Sequence, residues 1–471
     1  MPSSFETFIV ENAEADIPRL LLSRVDWPVI DDPSLSEYDG KELAINTIES
    51  RRKLRDKVPE WFRIQSLVYP CALSAEQCGS SVTARYKADL AARILAGSAG
   101  RIADLTGGLG VDSWAFSAVA SEVLYNERDP RLVAAARHNL PLLGADNVRF
   151  SGHEVSADSL GTVLAGFEPD IIYIDPARRS REGNKVFLLE DCSPDVLTLL
   201  PGALSLSRHI LLKLSPMADI SMVAERINRS YERHLEAVSD SGWNGNWVRE
   251  IHVVSSGGEC RELIVWIDRE WTGEYSVTCR EDGGTLIFGQ SEISRAKPVF
   301  PESVYVRYLF EPGKSLSKAG VFNALCGRFA LVKLARSTNL FTFSAEPPVI
   351  PSGAPVILSG VPVILSGAPV IPSGAPVILS GAPVILSEAK DLFRFGKIYR
   401  VEEVVRMNKA GMKDVGKRFP RSEVSARNIP LTSQELRARL GVKSGDDAHI
   451  FGVRIETPFK ADNFLLVCHR I

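Results

Sequence analysis

The sequence predicts an α/β protein whose main domain is built around an open, mostly parallel β-sheet. Two segments carry this prediction. Residues 102–112 run from a short apolar strand into an acidic, glycine-rich turn and then a helix, and residues 170–179 are an apolar strand that ends at Asp175 and Pro176. In such a sheet, ligands bind beyond the carboxyl ends of the strands. Both segments are therefore expected to face the same crevice.

The glycine-rich turn is where a ligand is expected to lie closest to the backbone. Gly107, Gly108 and Gly110 have no Cβ atom, so the chain can turn tightly and a ligand can lie against it. Ser113 stands where the dinucleotide-binding fingerprint has a third glycine or an alanine. The turn predicts an adenosine-containing ligand, with a dinucleotide as the less favoured alternative.

The following elements continue the alternation of strands and helices. A helix from about 113 to 120 leads into a strand at 122–126, and Glu127 follows at its carboxyl end. A carboxylate in this position can accept hydrogen bonds from both hydroxyls of a ribose. A helix at 132–140 and a strand at 148–150 come next. The series therefore predicts successive βαβ units with Glu127 as a ribose ligand.

The sequence also predicts secondary structure on both sides of this series. Strands are expected at 209–213, 250–255 and 261–267, and apolar residues at helical spacing predict helices before residue 70. Ser74 and Gln77 fit a capping box, with Ser74 as the N-cap. A helix at 83–96 is expected just before the first strand.

The ordered series resembles the class I S-adenosylmethionine-dependent methyltransferases. Residues 104–110 resemble their first motif, Glu127 their ribose-binding acid, and Asp175-Pro176 their fourth motif. More narrowly, the chain resembles bacterial methyltransferases that carry a C-terminal THUMP-like domain; the local matches are 76–87, 175–179, 213–216, 259–262 and 427–430. The resemblance implies a Rossmann-like, seven-stranded core, S-adenosylmethionine as the cofactor, and a small α+β domain that binds RNA.

The expected cofactor ligands lie around the glycine-rich turn, after the second strand, or on the helix that precedes the sheet, where the resemblance places the last three over the cofactor. They are Asp104, Thr106, Gly107, Gly108, Gly110, Glu127, Thr83, Tyr86 and Lys87. Packing within the helix is the alternative interpretation of Tyr86.

Asp175 and Pro176 are the expected catalytic residues. An exocyclic amine on a base is a poor nucleophile because its lone pair is delocalised into the ring, and a carboxylate that accepts a hydrogen bond from the amine localises that pair. Methyltransferases that act on such amines usually carry Asp/Asn-Pro-Pro and an aromatic residue, whereas Ala177 and Arg178 stand here. The target atom therefore stays open.

The expected substrate ligands are basic. Arg178 and Arg179 can bind a phosphate or a carboxylate in bidentate fashion. The remaining expected ligands are Lys213, Lys413, Lys417 and Arg418. The last three belong to a basic stretch that can neutralise phosphates, with a solvated helix face as the alternative. The position of this stretch in the THUMP-like segment favours RNA.

The region after the sheet contains a tandem repeat. Residues 274–288 are expected to form two strands and residues 317–329 a helix, and the resemblance implies that the two strands begin a small ferredoxin-like unit. At 348–389 a seven-residue unit repeats, and its regular prolines and glycines exclude a coiled coil. We expect a flexible surface loop there. Strands at 397–405, 450–455 and 464–469 and a helix at 433–440 are expected to follow.

Composition and charge bear on the partners, the membrane association and the cellular location of the protein. A net charge of −3 does not by itself indicate a nucleic-acid partner. No run approaches about 18 apolar residues, so no membrane span is expected. The acidic start of the chain does not resemble a signal peptide. Seven scattered cysteines without a Cys-x-x-Cys pair fit a reducing compartment and no metal site. The expected location is the cytoplasm.

The sequence thus predicts five segments and one favoured function. The segments are an N-terminal helical region (1–70), a methyltransferase domain (71–270), a ferredoxin-like connecting unit (271–345), the repeat insertion (346–389) and a THUMP-like domain (390–471). The favoured function is N-methylation of a base in RNA. The alternatives are methylation of a small anionic molecule or a protein side chain, and a cofactor-binding module whose catalysis has decayed.

Overall fold

The computed structural model describes residues 3–30, 32–178, 189, 192–238, 246–343 and 392–471. These residues form two compact units, Met1–Thr278 and Cys279–Ile471. The finer division into five segments stays a prediction. The repeat at 348–389 lies outside the described residues. Among the helices that the structure describes, none combines the length and the apolar character that a membrane span requires.

Helices precede the sheet of the first unit and then alternate with its strands. In chain order the elements are α1 (Ser4–Glu11), α2 (Ile17–Leu22), α3 (Gly40–Leu54), α4 (Pro59–Phe62), α5 (Ala72–Gln77), α6 (Ser81–Ile94), β1 (Arg101–Asp104), α7 (Val111–Ser117), β2 (Glu122–Asn126), α8 (Pro130–Leu142), β3 (Val148–Ser151), α9 (Leu160–Val163), β4 (Ile171–Ile174), β5 (Ala177–Arg178), β6 (Cys192–Ser193), α10 (Val196–Leu206), β7 (His209–Leu214), α11 (Ile220–Val238), β8 (Val248–Ser256), β9 (Glu259–Asp268), β10 (Ser276–Glu281) and β11 (Gly284–Gly289).

The predicted sheet is confirmed. Nine strands lie in the order β11-β10-β8-β9-β7-β4-β1-β2-β3. Neighbours from β7 to β3 pair in parallel, whereas β9 runs antiparallel to β7 and β8 antiparallel to β9. All four residues of β4 are buried, as expected for a central strand in a parallel sheet that is covered on both faces. The order brings the carboxyl ends of β2, β1, β4 and β7 side by side.

The two strands expected at 274–288 are confirmed as β10 and β11, which flank a turn at residues 282–283. The boundary between the two units falls within β10, so β11 belongs to the second unit. That this hairpin begins a ferredoxin-like unit stays a prediction.

The helices before the sheet are confirmed, and the capping box is wrong. α1 to α3 pack around a buried apolar cluster that includes Ile9, Leu20 and Leu43. α5 begins earlier than expected, at Ala72, with Cys71 at the N-cap position. The N–H of Ala72 donates to Oδ1 of Asn46 on α3 at 3.4 Å, so a tertiary contact satisfies the helix start that Ser74 was expected to cap.

The second unit contains a mixed sheet with helices. Its further elements are α12 (Gln290–Arg295), β12 (Tyr308–Pro312), α13 (Lys314–Ala319), α14 (Phe322–Phe329), β13 (Leu331–Ala335), β14 (Thr338–Phe343), β15 (Gly396–Arg406), α16 (Lys409–Arg418), β16 (Glu423–Arg427), α17 (Ser433–Leu440), β17 (His449–Glu456) and β18 (Ala461–Arg470). Seven strands lie in the order β13-β14-β12-β15-β18-β17-β16. The strands and helix expected after the repeat are confirmed.

The helix expected at 317–329 is instead two helices. α13 ends at Gly320, which adopts a left-handed conformation with φ of +68°. A residue in this conformation ends a helix, and glycine adopts it without steric strain. The chain resumes as α14, whose Leu325 and Phe329 are buried. A glycine inside an apolar periodic segment therefore marked a boundary here.

Candidate functional site

A cavity of about 600 Å³ lies at the carboxyl ends of the central strands of the first unit. We call it the main cavity. Its volume is in the range usual for ligand pockets. Residues from both sequence motifs line it, among them Thr106, Gly107, Gly108, Glu127, Asp175 and Pro176. His153 and Glu154, after β3, line it as well. The turn after β1 and the end of β4 therefore face one space.

The glycine-rich turn owes its sequence to two constraints. A Cβ atom on Gly107 would lie 2.2 Å from Cε2 of Tyr125, so the ring of Tyr125 leaves room for glycine alone. Gly110 precedes α7 with φ of +87°, a left-handed conformation that favours glycine. A Cβ atom on Gly108 would meet nothing within 4 Å, so the backbone there is open to an approaching ligand.

Asp104 lies beneath the turn and does not line the main cavity. Its side chain is fully buried, accepts a hydrogen bond from the N–H of Thr106 at 3.0 Å and accepts one from Oγ of Ser113 at 2.6 Å. Burial raises the pKa of Asp104 to about 7, although the Ser113 bond opposes the shift. The geometry gives Asp104 the role of bracing the turn against α7.

Glu127 faces the main cavity after β2. Its Oε2 accepts from the N–H of Gly108 at 3.0 Å, and its Oε1 accepts from the N–H of Asp129 at 2.9 Å. These two bonds fix the carboxylate beside the glycine-rich turn. Each carboxylate oxygen has a further lone pair, so the group can still accept hydrogen bonds from a pair of hydroxyls.

Asp175 is held at the end of β4 by its neighbours. Its N–H donates to Oγ1 of Thr106 at 2.7 Å, which links the two motifs directly. Nζ of Lys213, on β7, lies 2.5 Å from Oδ2 of Asp175. The side chain of Asp175 is 35% exposed and that of Lys213 is 14% exposed, so the carboxylate is the more accessible partner. Lys213, expected as a substrate ligand, therefore pairs with the expected catalytic group.

A network of buried charges adjoins the main cavity. Nζ of Lys87, on α6, is fully buried and lies 3.0 Å from Oε2 of Glu262 and 2.9 Å from Oδ1 of Asp112. The second carboxylate oxygen of Asp112 accepts from the hydroxyl of Tyr173 at 2.6 Å. Burial by itself would lower the pKa of Lys87 and raise that of Asp112; their mutual attraction reverses both shifts. Both groups are therefore held in their charged forms.

The three residues expected on the helix before the sheet do not line the main cavity. Thr83 is buried at the start of α6, where its N–H donates to Oγ of Ser80. The hydroxyl of Tyr86 lies 2.7 Å from Nδ1 of the buried His252. Lys87 lies behind Gly79, which does line the cavity: a Cβ atom on Gly79 would lie 3.6 Å from Nζ of Lys87. The geometry gives Lys87 a supporting position beneath the cavity.

Of the other basic residues expected to bind the substrate, those that the structure describes do not line the main cavity. Arg178 belongs to β5, whose backbone pairs with β6, and Arg179 lies outside the described residues. Lys413 and Lys417 are exposed on α16 in the second unit. Arg418 contacts Glu403 and lies 2.9 Å from Asp414, so its charge is already paired.

Sequence reasoning missed four residues that shape the site. Tyr125 packs on Gly107 and donates to the carbonyl oxygen of Gly108 at 2.6 Å. Asp112, Tyr173 and Glu262 complete the buried network. Their sequence context indicates a role in the site only weakly. Asp112 is the one acid in the first turn of α7, and Tyr173 carries the one hydroxyl in an apolar strand.

Comparisons with known proteins agree with this architecture. Residues 396–470 match a family model described as THUMP domain-like, and residues 308–351 match one described as a ferredoxin-like domain. An uncharacterised S-adenosylmethionine-dependent methyltransferase of Mycobacterium tuberculosis, found in two strains, is 30% identical over 194 residues, which are 41% of this chain and 43% of that protein. The chain therefore spans about two fifths of the curated relatives that it matches.

A solved structure extends the likeness to nearly the whole chain. The crystal structure of a candidate methyltransferase from Porphyromonas gingivalis W83 is 27% identical, with a TM-score of 0.72. The match covers 99% of this chain and 97% of that one. In strand order, glycine-rich turn and C-terminal match, this chain is therefore similar over nearly its whole length to a class I S-adenosylmethionine-dependent methyltransferase with a C-terminal THUMP-like domain.

Proposed function

We propose that this protein is an S-adenosylmethionine-dependent methyltransferase that N-methylates a base in RNA. The observation that carries the proposal is the carboxylate of Asp175. It is partly exposed to the main cavity at the end of β4, fixed by Thr106 and Lys213, and shares the cavity with the glycine-rich turn. A hydrogen-bond acceptor and a cofactor site in one space is what methylation of an amine requires.

The main cavity fits S-adenosylmethionine by the chemistry of its lining. Glu127 retains lone pairs for the ribose hydroxyls, and the open backbone at Gly108 admits close approach. Asp112, whose side chain is 11% exposed, adds a carboxylate held in its charged form to a cavity that would receive a cationic cofactor. When bound, the cofactor supplies a methyl group on a positively charged sulfur, which is a good leaving group.

The chain's own residues then have to position the acceptor. Asp175 accepts a hydrogen bond from the amine, localises its lone pair and holds the proton that the amine loses as the N–CH₃ bond forms and the S–CH₃ bond breaks. Lys213 keeps the carboxylate oriented by their ion pair. Holding the reacting atoms in line supplies much of the rate acceleration.

RNA is favoured as the substrate by the second unit. Its C-terminal part matches a THUMP domain-like model, and α16 presents Lys409, Lys413 and Lys417, all exposed, at intervals of four residues. Residues four apart on a helix lie on one face, so these ammonium groups form a row that can follow phosphates. We infer that this row makes sequence-independent contacts and that the target base is chosen elsewhere.

The cofactor assignment predicts a specific loss on replacement of Glu127 by alanine. The variant is expected to bind S-adenosylmethionine about 1.5–3 kcal/mol more weakly, because charge-assisted hydrogen bonds to the ribose disappear. Isothermal titration calorimetry measures this directly, with Glu154→Ala as the control on the same cavity wall. A parent that binds a nicotinamide dinucleotide and not S-adenosylmethionine would contradict the assignment.

The RNA assignment predicts that two neighbouring sets of charges behave differently. Replacing Lys413 and Lys417 with glutamine should weaken RNA binding and lower its salt slope by about 1–2, because fewer counterions are released. Arg418→Gln should change RNA binding much less, since its guanidinium is held by Glu403 and Asp414. Filter binding over a range of salt concentrations measures both. Equal salt slopes in the parent and the double variant would favour a small anionic substrate.

The reaction itself is tested in cells and in solution. Mass spectrometry of nucleosides from a deletion strain and its parent should show one methylated base that the deletion strain lacks. Purified protein should restore it to RNA from that strain. Restored methylation of a protein or a small-molecule fraction, with RNA unchanged, would favour the alternative substrate classes, and no transfer to any fraction would favour a decayed module.

A further inference from the structure

A second cavity, of about 310 Å³, lies in the N-terminal helical region and is lined from α1, α3, α4 and the residues that follow them. We call it the arginine cavity. Its ten lining residues include four arginines and no carboxylate. The arginines are Arg51, Arg52, Arg55 and Arg63, and the rest of the wall is largely apolar. Neither the sequence motifs nor the proposed reaction uses this cavity.

Two of the arginines are fixed by neutral groups. Arg51 is 9% exposed and donates from Nη1 to the carbonyl oxygen of Ile64 at 2.8 Å and from Nη2 to that of Phe62 at 2.7 Å. Arg52 donates to two carbonyl oxygens that follow α1, at 2.7 and 2.6 Å. Carbonyl oxygens orient a guanidinium but leave its charge uncompensated. Both groups also keep further N–H donors for a ligand.

Two of the four guanidinium groups lie over the ring of Phe62. The guanidinium carbon of Arg51 lies 5.0 Å from the ring centre of Phe62, and that of Arg55 lies 5.4 Å from it. Arg55 is paired with Glu14, whereas Arg63 is exposed and has no carboxylate partner in the described part of the chain. Burial lowers the pKa of Arg51, which reflects the free energy that its charge costs there.

These observations point to an anionic ligand. Among the described residues, Arg51, Arg52 and Arg63 have no carboxylate partner. Their like charges repel one another around one cavity, and an anion in that cavity would remove the repulsion. A guanidinium binds two phosphate oxygens in a planar fork. Beside that charge, the ring of Phe62 and the apolar walls from α1 and α3 offer a surface for an attached ring.

We propose that the arginine cavity binds a phosphate group that carries a ring, as a nucleotide does. A free nucleotide and a nucleotide within an RNA chain present the same chemistry. The site needs no methyl transfer, so the inference goes beyond the proposed function and stands apart from it.

The test uses the full-length protein and isothermal titration calorimetry. Uridine monophosphate, inorganic phosphate and a short single-stranded RNA are titrated with S-adenosylhomocysteine present in excess, so that the main cavity does not take up the nucleotide. Arg63→Gln should weaken binding of uridine monophosphate about tenfold, because one charged partner is lost. Arg24→Gln is the matched control, since Arg24 is also exposed in the helical region but does not line the cavity.

The outcomes distinguish a free nucleotide from a nucleotide within RNA, and they distinguish failure of this inference from failure of the proposed function. Competition between the RNA and uridine monophosphate supports a nucleotide of an RNA chain; binding of the mononucleotide without such competition supports a free nucleotide. Absence of binding of all three probes, or equal binding by the parent and Arg63→Gln, overturns the inference. Failure to bind S-adenosylhomocysteine in the same samples, with mononucleotide binding intact, would count against the proposed function alone.

Discussion

Replacement of Asp175 by alanine is expected to lower the rate of methyl transfer by about 10²–10⁴-fold, the usual contribution of a positioned acid or base. The variant loses the acceptor that localises the amine lone pair. It leaves Glu127 and the glycine-rich turn unchanged, so the affinity for S-adenosylmethionine should stay close to that of the parent. Single-turnover transfer of a labelled methyl group and calorimetry measure the two effects separately.

Two further variants show whether the loss comes from chemistry. Asp175→Asn keeps an oxygen that accepts a hydrogen bond and should retain more activity than Asp175→Ala. Lys213→Met removes the ion pair that orients the carboxylate, and should lower the rate while Asp175 remains. Circular dichroism and thermal melting establish that each variant is folded. Parental methylation by folded Asp175→Ala protein would exclude the proposed role of this carboxylate.

Replacement of Lys87 by methionine is expected to destabilise the first unit by about 3–5 kcal/mol, as measured by urea denaturation. The side chains of Lys87 and Glu262 are 0% and 3% exposed, and removing one partner leaves a buried charge without compensation. Methionine has a similar length, so little packing is lost. Lys53→Met is the control: its ion pair with Glu76 is 37% and 64% exposed and should contribute at most about 1 kcal/mol.

A double variant distinguishes the destabilisation caused by an unpaired buried carboxylate from that caused by lost packing. Lys87→Met with Glu262→Gln removes one of the two carboxylates that the single variant leaves unpaired. It should therefore recover part of the lost stability, even though the same methionine is present. Equal stability of the single and double variants would indicate that the charge network contributes little and that packing around α6 dominates.

The pH dependence of the Lys87→Met effect has a definite sign. Burial alone would raise the pKa of Asp112, but the charges of Lys87 and Lys213 hold it below its ordinary value of 3.8. A carboxyl group with a lowered pKa stabilises the fold above that ordinary value, and the contribution is lost as pH falls through the folded-state pKa. Without Lys87 the pKa of Asp112 rises. The stability gap between parent and variant should therefore narrow as pH falls from about 7 to about 4.

The acidic residues that line the main cavity could be predicted from the sequence because each one follows directly from a single strand. The strands β1, β2 and β4 are short and mainly apolar, and an acidic residue stands at or just after the carboxyl end of each, where the direction of a parallel strand places it. Glu127 and Asp175 could therefore be placed at one edge of the sheet before any contact was known. The helix boundaries were less certain, as the N-terminus of α5 and the break at Gly320 show.

The sequence by itself thus determined the α/β class, the glycine-rich turn and the two acids that face the cavity, because strand direction and chain order are properties of a local segment. Tertiary structure alone decided which ionisable groups support them. Lys87 meets Glu262 across 175 residues because α6 packs on the face of β9, and Gly107 must be glycine because the ring of Tyr125 occupies its Cβ position. Such contacts depend on how elements pack, and no local pattern encodes that packing.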